Sequence, residues 1–244
     1  MNEHVTSLSD YFSLKAILNN ALKGFSFPQN PFDPNGTWKN SYKVLTLTGQ
    51  SWPIGKLTIE RILTKNDQTV LIVSYQLFLK DGYKQNITSR IRCLTDSLAT
   101  PLTWKFESEI LSPAKKTIDC TRLEKQGEAR NGILKITTSN GSSRTPLSKA
   151  YTSNWALFDA IQRLPRQSTV PINFTLLDHF DQPKHNQVLS FRKESIIEFK
   201  GDSFKLYAYQ QIGNGITPII YWTNRYGRLL FVISGIEGYV IENE

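Results

Sequence analysis

Few side chains in this sequence are spaced for chemistry. Asp178, His179, Asp181 and His185 fall within one short stretch, Asp178-His179-Phe180-Asp181-Gln182-Pro183-Lys184-His185. Carboxylates and imidazoles are ligands for a divalent transition metal. The spacing matches none of the usual metalloenzyme motifs, however, and a stretch of this composition reads as a polar turn between strands. Ser112-Pro113-Ala114-Lys115 has the Ser-x-x-Lys spacing of penicillin-recognising enzymes. The partner motifs are missing, and proline disfavours the helical turn that such chemistry needs. No Gly-x-Ser-x-Gly elbow, phosphate loop or dinucleotide fingerprint is present. Glu107 and Glu109 share a strand face, but nothing singles out a carboxylate pair for glycoside hydrolysis. The expectation is a non-catalytic protein with no metal and no cofactor. A glycan-binding or glycan-active enzyme is the alternative.

Binding chemistry is better represented. Tyr207, Tyr209, Tyr221 and Trp222 lie close together in the last forty residues, with Tyr226 and Tyr239 nearby. Such rings either pack a sheet core or form a platform for an apolar or planar ligand. Tyr207 and Tyr209 alternate with Phe204, Leu206 and Ala208, so both faces of that strand are apolar. Either a helix covers the second face or a ligand does. Lys84, Arg90 and Arg92 project together from one face of an earlier strand, a setting for an anionic headgroup. These seven residues, Tyr207, Tyr209, Tyr221, Trp222, Lys84, Arg90 and Arg92, form the expected ligand site. It would hold a lipid or another amphipathic anion on the concave side of a sheet. The competing reading is that helices fill the concavity and the basic face is solvated. Single-stranded nucleic acid would need basic and aromatic residues in one exposed groove, and is not the expected partner. Cys93 and Cys120 both fall on the apolar side of their strands. They are either a cross-strand disulfide of an exported protein or two buried thiols.

The elements that must position these residues are mostly strands. Residues 204–241 read as an antiparallel meander, punctuated by Gly213-Asn214-Gly215 and Asn224-Arg225-Tyr226-Gly227. Further strands are expected from Trp38 onward. They include 56–64 and 69–79, then 83–94 after the Lys80-Asp81-Gly82 turn, then Thr117–Leu123 and Ile133–Thr138, and, after a second helix, 187–192 and 195–200. Residues 139–143 read as a flexible polar loop. Helices are expected at 8–23 and at 154–163, where Trp155, Phe158, Ile161 and Leu164 have helical spacing and Pro165 stops the run. The expected fold is mainly β: one strongly curved antiparallel sheet or half-barrel of about a dozen strands with two helices. It would form a single domain over 1–244, with a division into 1–150 and 151–244 as the alternative.

Composition fits a folded protein, at 39% hydrophobic and 20% charged. The net charge of +8 is uneven. Residues 1–150 hold 20 Lys+Arg against 12 Asp+Glu, and residues 151–244 hold 9 against 9. A basic half suits an anionic partner. No run reaches the ~20 apolar residues of a membrane-spanning helix. The start, Met1-Asn2-Glu3-His4-Val5, lacks the basic and apolar regions of a secretion signal.

Tyr221-Trp222-Thr223-Asn224-Arg225-Tyr226-Gly227-Arg228-Leu229-Leu230 resembles the late strands of bacterial exported curved-sheet proteins. In these, an aromatic strand, a polar turn and a Gly-Arg-Leu strand close the sheet. The element order is similar to that of the periplasmic lipoprotein-carrier type of fold. The resemblance implies an apolar moiety held between sheet and helices without catalysis. It also implies a periplasmic or extracellular location with the signal peptide absent from this chain; a cytoplasmic location is the alternative.

Overall fold

The computed structural model describes residues 25–47, 53–64, 67–166, 170–180 and 183–242. Among them the strands are β1 (Trp38–Thr46), β2 (Pro53–Leu63), β3 (Gln68–Phe78), β4 (Lys84–Leu94), β5 (Pro101–Leu111), β6 (Leu123–Arg130), β7 (Ile133–Thr138) and β8 (Gly141–Pro146). The chain continues through β9 (Tyr151–Ser153), helix α1 (Asn154–Arg163), β10 (Ile172–Leu177), β11 (Pro183–Phe199), β12 (Asp202–Ile212), β13 (Ile219–Thr223), β14 (Leu229–Ser234) and β15 (Glu237–Ile241). The expected mainly-β class is correct, but the strands number fifteen instead of about twelve. One α-helix is found among the described residues, at the expected position 154–163. The helix expected at 8–23 lies outside the described residues.

All fifteen strands join one open sheet in the order β8-β7-β6-β5-β4-β3-β2-β1-β15-β14-β13-β12-β11-β10-β9. The pairing is antiparallel except between β9 and β10. The chain thus runs from β1 out to one edge and crosses to the other edge at residues 147–150. It then returns until β15 pairs with β1, Val44 opposite Tyr239. The edge strand β9 also reaches across to the start of β5 and the turn before it through side chains. Tyr151 Oη donates to the Pro101 carbonyl (3.0 Å), and Thr152 Oγ1 donates to that of Leu98 (2.6 Å).

Alternation decides which residues face inward. In β4, Ile87, Ser89, Ile91 and Cys93 are buried while Lys84, Thr88, Arg90 and Arg92 are exposed, the period of two expected of a sheet with one solvated face. Helix α1 occupies the concave side. Ser153 caps it by accepting from Ala156 N (3.1 Å), and Trp155 through Gln162 are all buried. Phe158 sits among Tyr42, Tyr221 and Tyr239, with ring centroids 5.4, 6.4 and 5.7 Å away. A second apolar layer lies on the opposite face of the late strands. There Phe27 stacks on Phe204 at 3.9 Å, and Phe25 meets Phe231 at 5.6 Å. The doubly apolar strand β12 therefore has a cover on each side: α1 over Tyr209 and Tyr221, and residues 25–27 over Phe204.

Three details correct the sequence reading. Residues 112–122 form a loop, bridged to β5 at Leu111–Thr117 and bonded to it by Ile118 N donating to the Ile110 carbonyl (2.9 Å) and Ile110 N donating to Thr121 Oγ1 (3.1 Å), before β6 begins at Leu123. The expected strand 117–123 fails because Lys115 and Cys120 take positive φ (59° and 65°), which turns the chain. Residues 141–146 are a strand, paired as a hairpin with β7. The two expected strands 187–192 and 195–200 are one long strand, interrupted by a register shift between Phe191 and Lys193.

Candidate functional site

Two clefts adjoin the 224–227 turn, one of them at the end of α1, and the helix is fixed there by buried polar groups. Asp159 is fully buried. Its carboxylate meets Arg61 of β2 (2.9 Å) and Arg163 one turn along the helix (2.9 Å). Arg61 also donates to the carbonyls of Asn35 and Gly36, and Arg163 donates to that of Thr95 (2.8 Å). Burial pushes the Asp159 carboxyl up, while the two guanidiniums favour its charged form. Gln162, also buried, bonds Asn40 (3.1 Å) and accepts from Leu229 N (3.0 Å). Helix, β1, β2 and β14 are thereby held in one register.

The turn Asn224-Arg225-Tyr226-Gly227 closes over this end. Asn224 Oδ1 accepts from the backbone N–H of Tyr226 (2.9 Å) and of Arg228 (3.0 Å), shaping the turn. Gly227 takes φ +85°, and a Cβ there would lie 2.7 Å from the Gln162 carbonyl oxygen. Only glycine permits that approach.

Two clefts flank the turn and share Tyr226. The larger, about 500 Å³, is lined by Phe27, Pro28, Phe204, Leu206, Lys205 and Arg225 among others. The smaller, about 240 Å³, lies beside the helix end and includes Arg163, Arg166 and Tyr209. Their cations rest on aromatic rings. Arg166 lies 5.0 Å from the Tyr207 ring centroid, Arg225 4.8 Å from that of Tyr226, and Lys205 5.7 Å from that of Tyr207. Arg166 also donates to the Arg225 carbonyl, tying the two loops together. Lys205 is paired with Glu194 (3.0 Å). Among the described residues neither Arg166 nor Arg225 has a carboxylate partner. Among the described residues, the only carboxylate lining either cleft is Asp202.

The seven residues expected to form one site are divided by the fold. Tyr209 lines the smaller cleft, its hydroxyl 3.4 Å from the carbonyls of Leu164 and Pro165. Tyr207 lies beneath Arg166. Tyr221 and Trp222 are 2% exposed and serve the core on opposite faces of β13. Lys84, Arg90 and Arg92 are on the outer face of β4, seven strand positions from β12 in the sheet order. They do not form a rim around the tyrosines. A period of two told which face they share but not that this face is convex.

The remaining sequence candidates have local roles. Cys93 is buried and Cys120 is exposed, both as free thiols. Neither the disulfide nor a pair of buried thiols is found, because Cys120 has left the sheet for the 112–122 loop. Asp178 is bound by Lys184 (2.6 Å), the His179 ring meets the edge of Trp155 (5.3 Å), and His185 Nδ1 is 3.2 Å from Thr175 Oγ1. Asp181 lies outside the described residues. Ser112 and Lys115 form a turn, Lys115 N donating to the Ser112 carbonyl (2.8 Å). Glu107 pairs with Lys105 (2.5 Å), and Glu109 accepts from Thr117 (2.9 Å). Both are on the solvated outer face. No cleft described above unites two carboxylates.

The residues that sequence reasoning missed are Arg166 and Arg225. Each follows a stop signal, Pro165 after the helix and Asn224 in the turn. Their proximity is set only by tertiary contact.

No family model matches this sequence. No curated protein matches it either. Among solved structures, the chain is similar to a crystal structure of a β-barrel-like protein of domain of unknown function DUF1849 from Brucella abortus, with a TM-score of 0.57 and 8% identity. The similarity covers 85% of this chain and 96% of that one. At that identity the likeness is one of fold: a curved, barrel-like β architecture.

Proposed function

We propose that this protein is a non-catalytic binding protein for a small amphipathic anion, held in the clefts on either side of Tyr226. One observation carries the reading. Two arginines lie beside aromatic rings at the clefts, Arg166 5.0 Å from the Tyr207 centroid and Arg225 4.8 Å from that of Tyr226, and among the described residues neither has a carboxylate partner. Each guanidinium is also held by a hydrogen bond, Arg225 to the Tyr226 hydroxyl (2.7 Å) and Arg166 to the Arg225 carbonyl, and its other N–H groups can meet a carboxylate, sulfonate or phosphate. The larger cleft is within the size range of small-molecule sites. Phe27, Phe204 and Leu206 supply apolar wall for the ligand's body, and Arg225 supplies the contact for its head. In this reading Tyr209 lines the smaller cleft, Tyr207 lies beneath Arg166, and Arg166 and Arg225 take the part first given to Lys84, Arg90 and Arg92.

Dodecanoate and anilinonaphthalene sulfonate are suitable probes, each an anion on an apolar body. Titration followed by calorimetry is expected to show binding that falls by about tenfold in Arg166→Ala/Arg225→Ala, the loss of one charge-assisted contact. The unfolding midpoint should hardly change, because both side chains are exposed. Failure of the unaltered protein to bind either probe would remove the proposal. So would full binding by the double variant.

A further inference from the structure

The end of the molecule remote from these clefts carries a different surface. The β3–β4 hairpin exposes Phe78 (43%), Leu79 (39%) and Tyr83 (38%) within six residues. Isolated exposed apolar side chains are ordinary, but three at one hairpin tip, with the successive Phe78 and Leu79 projecting to opposite sides of the ribbon, make the tip itself apolar. Lysines surround it. Lys80 and Lys84 are in the hairpin, and the Lys84 ammonium lies 5.6 Å from the Phe78 ring centroid. The 112–122 loop stands beside it. Lys84 is opposite Leu111 in the ladder, and Pro113 lies 3.5 Å from where a Gly82 Cβ would be. That loop adds Lys115 and Lys116, both exposed. Over residues 78–84 and 111–116 there are four lysines and one carboxylate, Asp81. The tip is closed by backbone bonds from Leu79 N to the Tyr83 carbonyl (2.9 Å) and from Tyr83 N to that of Lys80 (3.3 Å). Asp81 and Gly82 take positive φ (58° and 78°), the geometry of a tight hairpin turn.

We propose that this tip docks on an anionic lipid bilayer. Aromatic and aliphatic side chains at the end of a hairpin can enter the interfacial layer, while lysine ammoniums remain at headgroup level. Each lysine near an anionic surface adds roughly 1 kcal/mol, within a Debye length. The choice of a lipid surface over a protein partner rests on charge. Around the apolar group four lysines outnumber the one carboxylate, Asp81, where a protein interface would place it within a mixed polar rim. Strand β4 separates this tip from the helix end by eleven residues, about 35 Å at the rise of an extended strand. The docked protein would hold its clefts away from the bilayer.

Vesicle co-sedimentation tests this with the full chain. Vesicles of phosphatidylcholine alone should bind little. Those with added phosphatidylglycerol should bind at low ionic strength and release the protein as salt is raised. Binding should fall by about tenfold or more in Lys80→Glu/Lys84→Glu/Lys115→Glu/Lys116→Glu. It should also fall in Phe78→Ser/Leu79→Ser/Tyr83→Ser. A readout independent of those variants is Leu79→Cys in a Cys120→Ser background, carrying an environment-sensitive dye whose emission should shift blue on anionic vesicles only. Absence of binding to anionic vesicles, binding retained in both multiple variants, or an unshifted dye would each overturn the proposal. A dimer abolished by the apolar substitutions, in a protein that leaves vesicles alone, would assign the patch to self-association instead.

Discussion

Asp159 Oδ1 lies 2.9 Å from Arg61 Nε, with both side chains at most 2% exposed. The contact joins the helix to the sheet across the concave face. Buried pairs of this kind contribute little relative to an apolar replacement, but removing one partner is costly because the other charge is stranded. Here the partners are unequal. Asp159→Ala strands two arginines, whereas Arg61→Met leaves Asp159 with Arg163. We expect Asp159→Ala to lower stability by about 3–5 kcal/mol, and Arg61→Met by clearly less. Chemical denaturation of the two variants gives the order directly, and an inverted order would contradict it.

Alkaline pH should unfold the protein through its tyrosines. Burial pushes the hydroxyls of Tyr75, Tyr151 and Tyr209 up to about 12, from an ordinary value of 10. Tyr42, Tyr221 and Tyr239 are pushed up as well. Between these values the unfolded chain loses phenolic protons that the folded chain retains. Stability is therefore intact below pH 10 and falls as pH rises toward 12, by up to about 1.4 kcal/mol per pH unit for each such group. Near-ultraviolet phenolate absorbance and circular dichroism recorded together are expected to show the buried tyrosines ionising in step with unfolding. Ionisation of these six with the fold intact would count against their burial.

The two cysteines should differ sharply in reactivity. Cys93 is 0% exposed, and burial raises its thiol well above the ordinary range. Cys120 is exposed. A maleimide reagent is expected to add once to the native protein, at Cys120, and twice after denaturation. Intact mass after purification without reductant should correspond to two thiols. A mass two hydrogens lower would restore the disulfide.

The Gly127–Trp104 contact gives a packing test. A Cβ at Gly127 in β6 would lie 2.0 Å from the Trp104 ring of β5, so the ring occupies the space that the glycine leaves. Gly127→Ala should cost about 1–3 kcal/mol, the usual size for forced overpacking. Trp104→Leu in the same chain should recover part of that loss relative to the sum of the single changes. Strict additivity would show that the two positions do not meet.

Much of this fold was legible, for local reasons. Ile87, Ile91 and Cys93 alternate with Arg90 and Arg92, which is enough to give β4 its faces. Lys80-Asp81-Gly82 announces its turn, because aspartate and glycine tolerate the left-handed backbone found there. Pro165 stops α1. What was not legible is non-local. Cys120 continues the apolar alternation of Ile118, yet β5 takes up the backbone only around Thr117 and Ile118, and the positive φ at Cys120 turns the segment into a loop. Arg166 and Arg225 are 59 residues apart and meet only because Gly227 lets a turn settle against the helix end. The aromatic cluster was visible, but not its division between a helix-facing and an outward-facing layer.

The crossing at residues 147–150 bears on whether the chain unfolds as one body. It separates two sets of strands, and that is where two domains would part. Helix α1 follows the crossing, yet it packs on strands from both sides of it: Tyr42 of β1 and Tyr75 of β3 as well as Tyr221 of β13. Strands β1 and β15 are also paired edge to edge. Neither half could keep its inward face dry alone, since the first would lose the helix and the second would lose β1 and β2 beside it. We therefore expect a single cooperative transition in denaturant, with fluorescence and far-ultraviolet circular dichroism coinciding. Limited proteolysis should not yield two persistent fragments divided near 139–148. Two separate transitions, or a stable fragment 151–244, would mean that the halves fold independently and that α1 only bridges them.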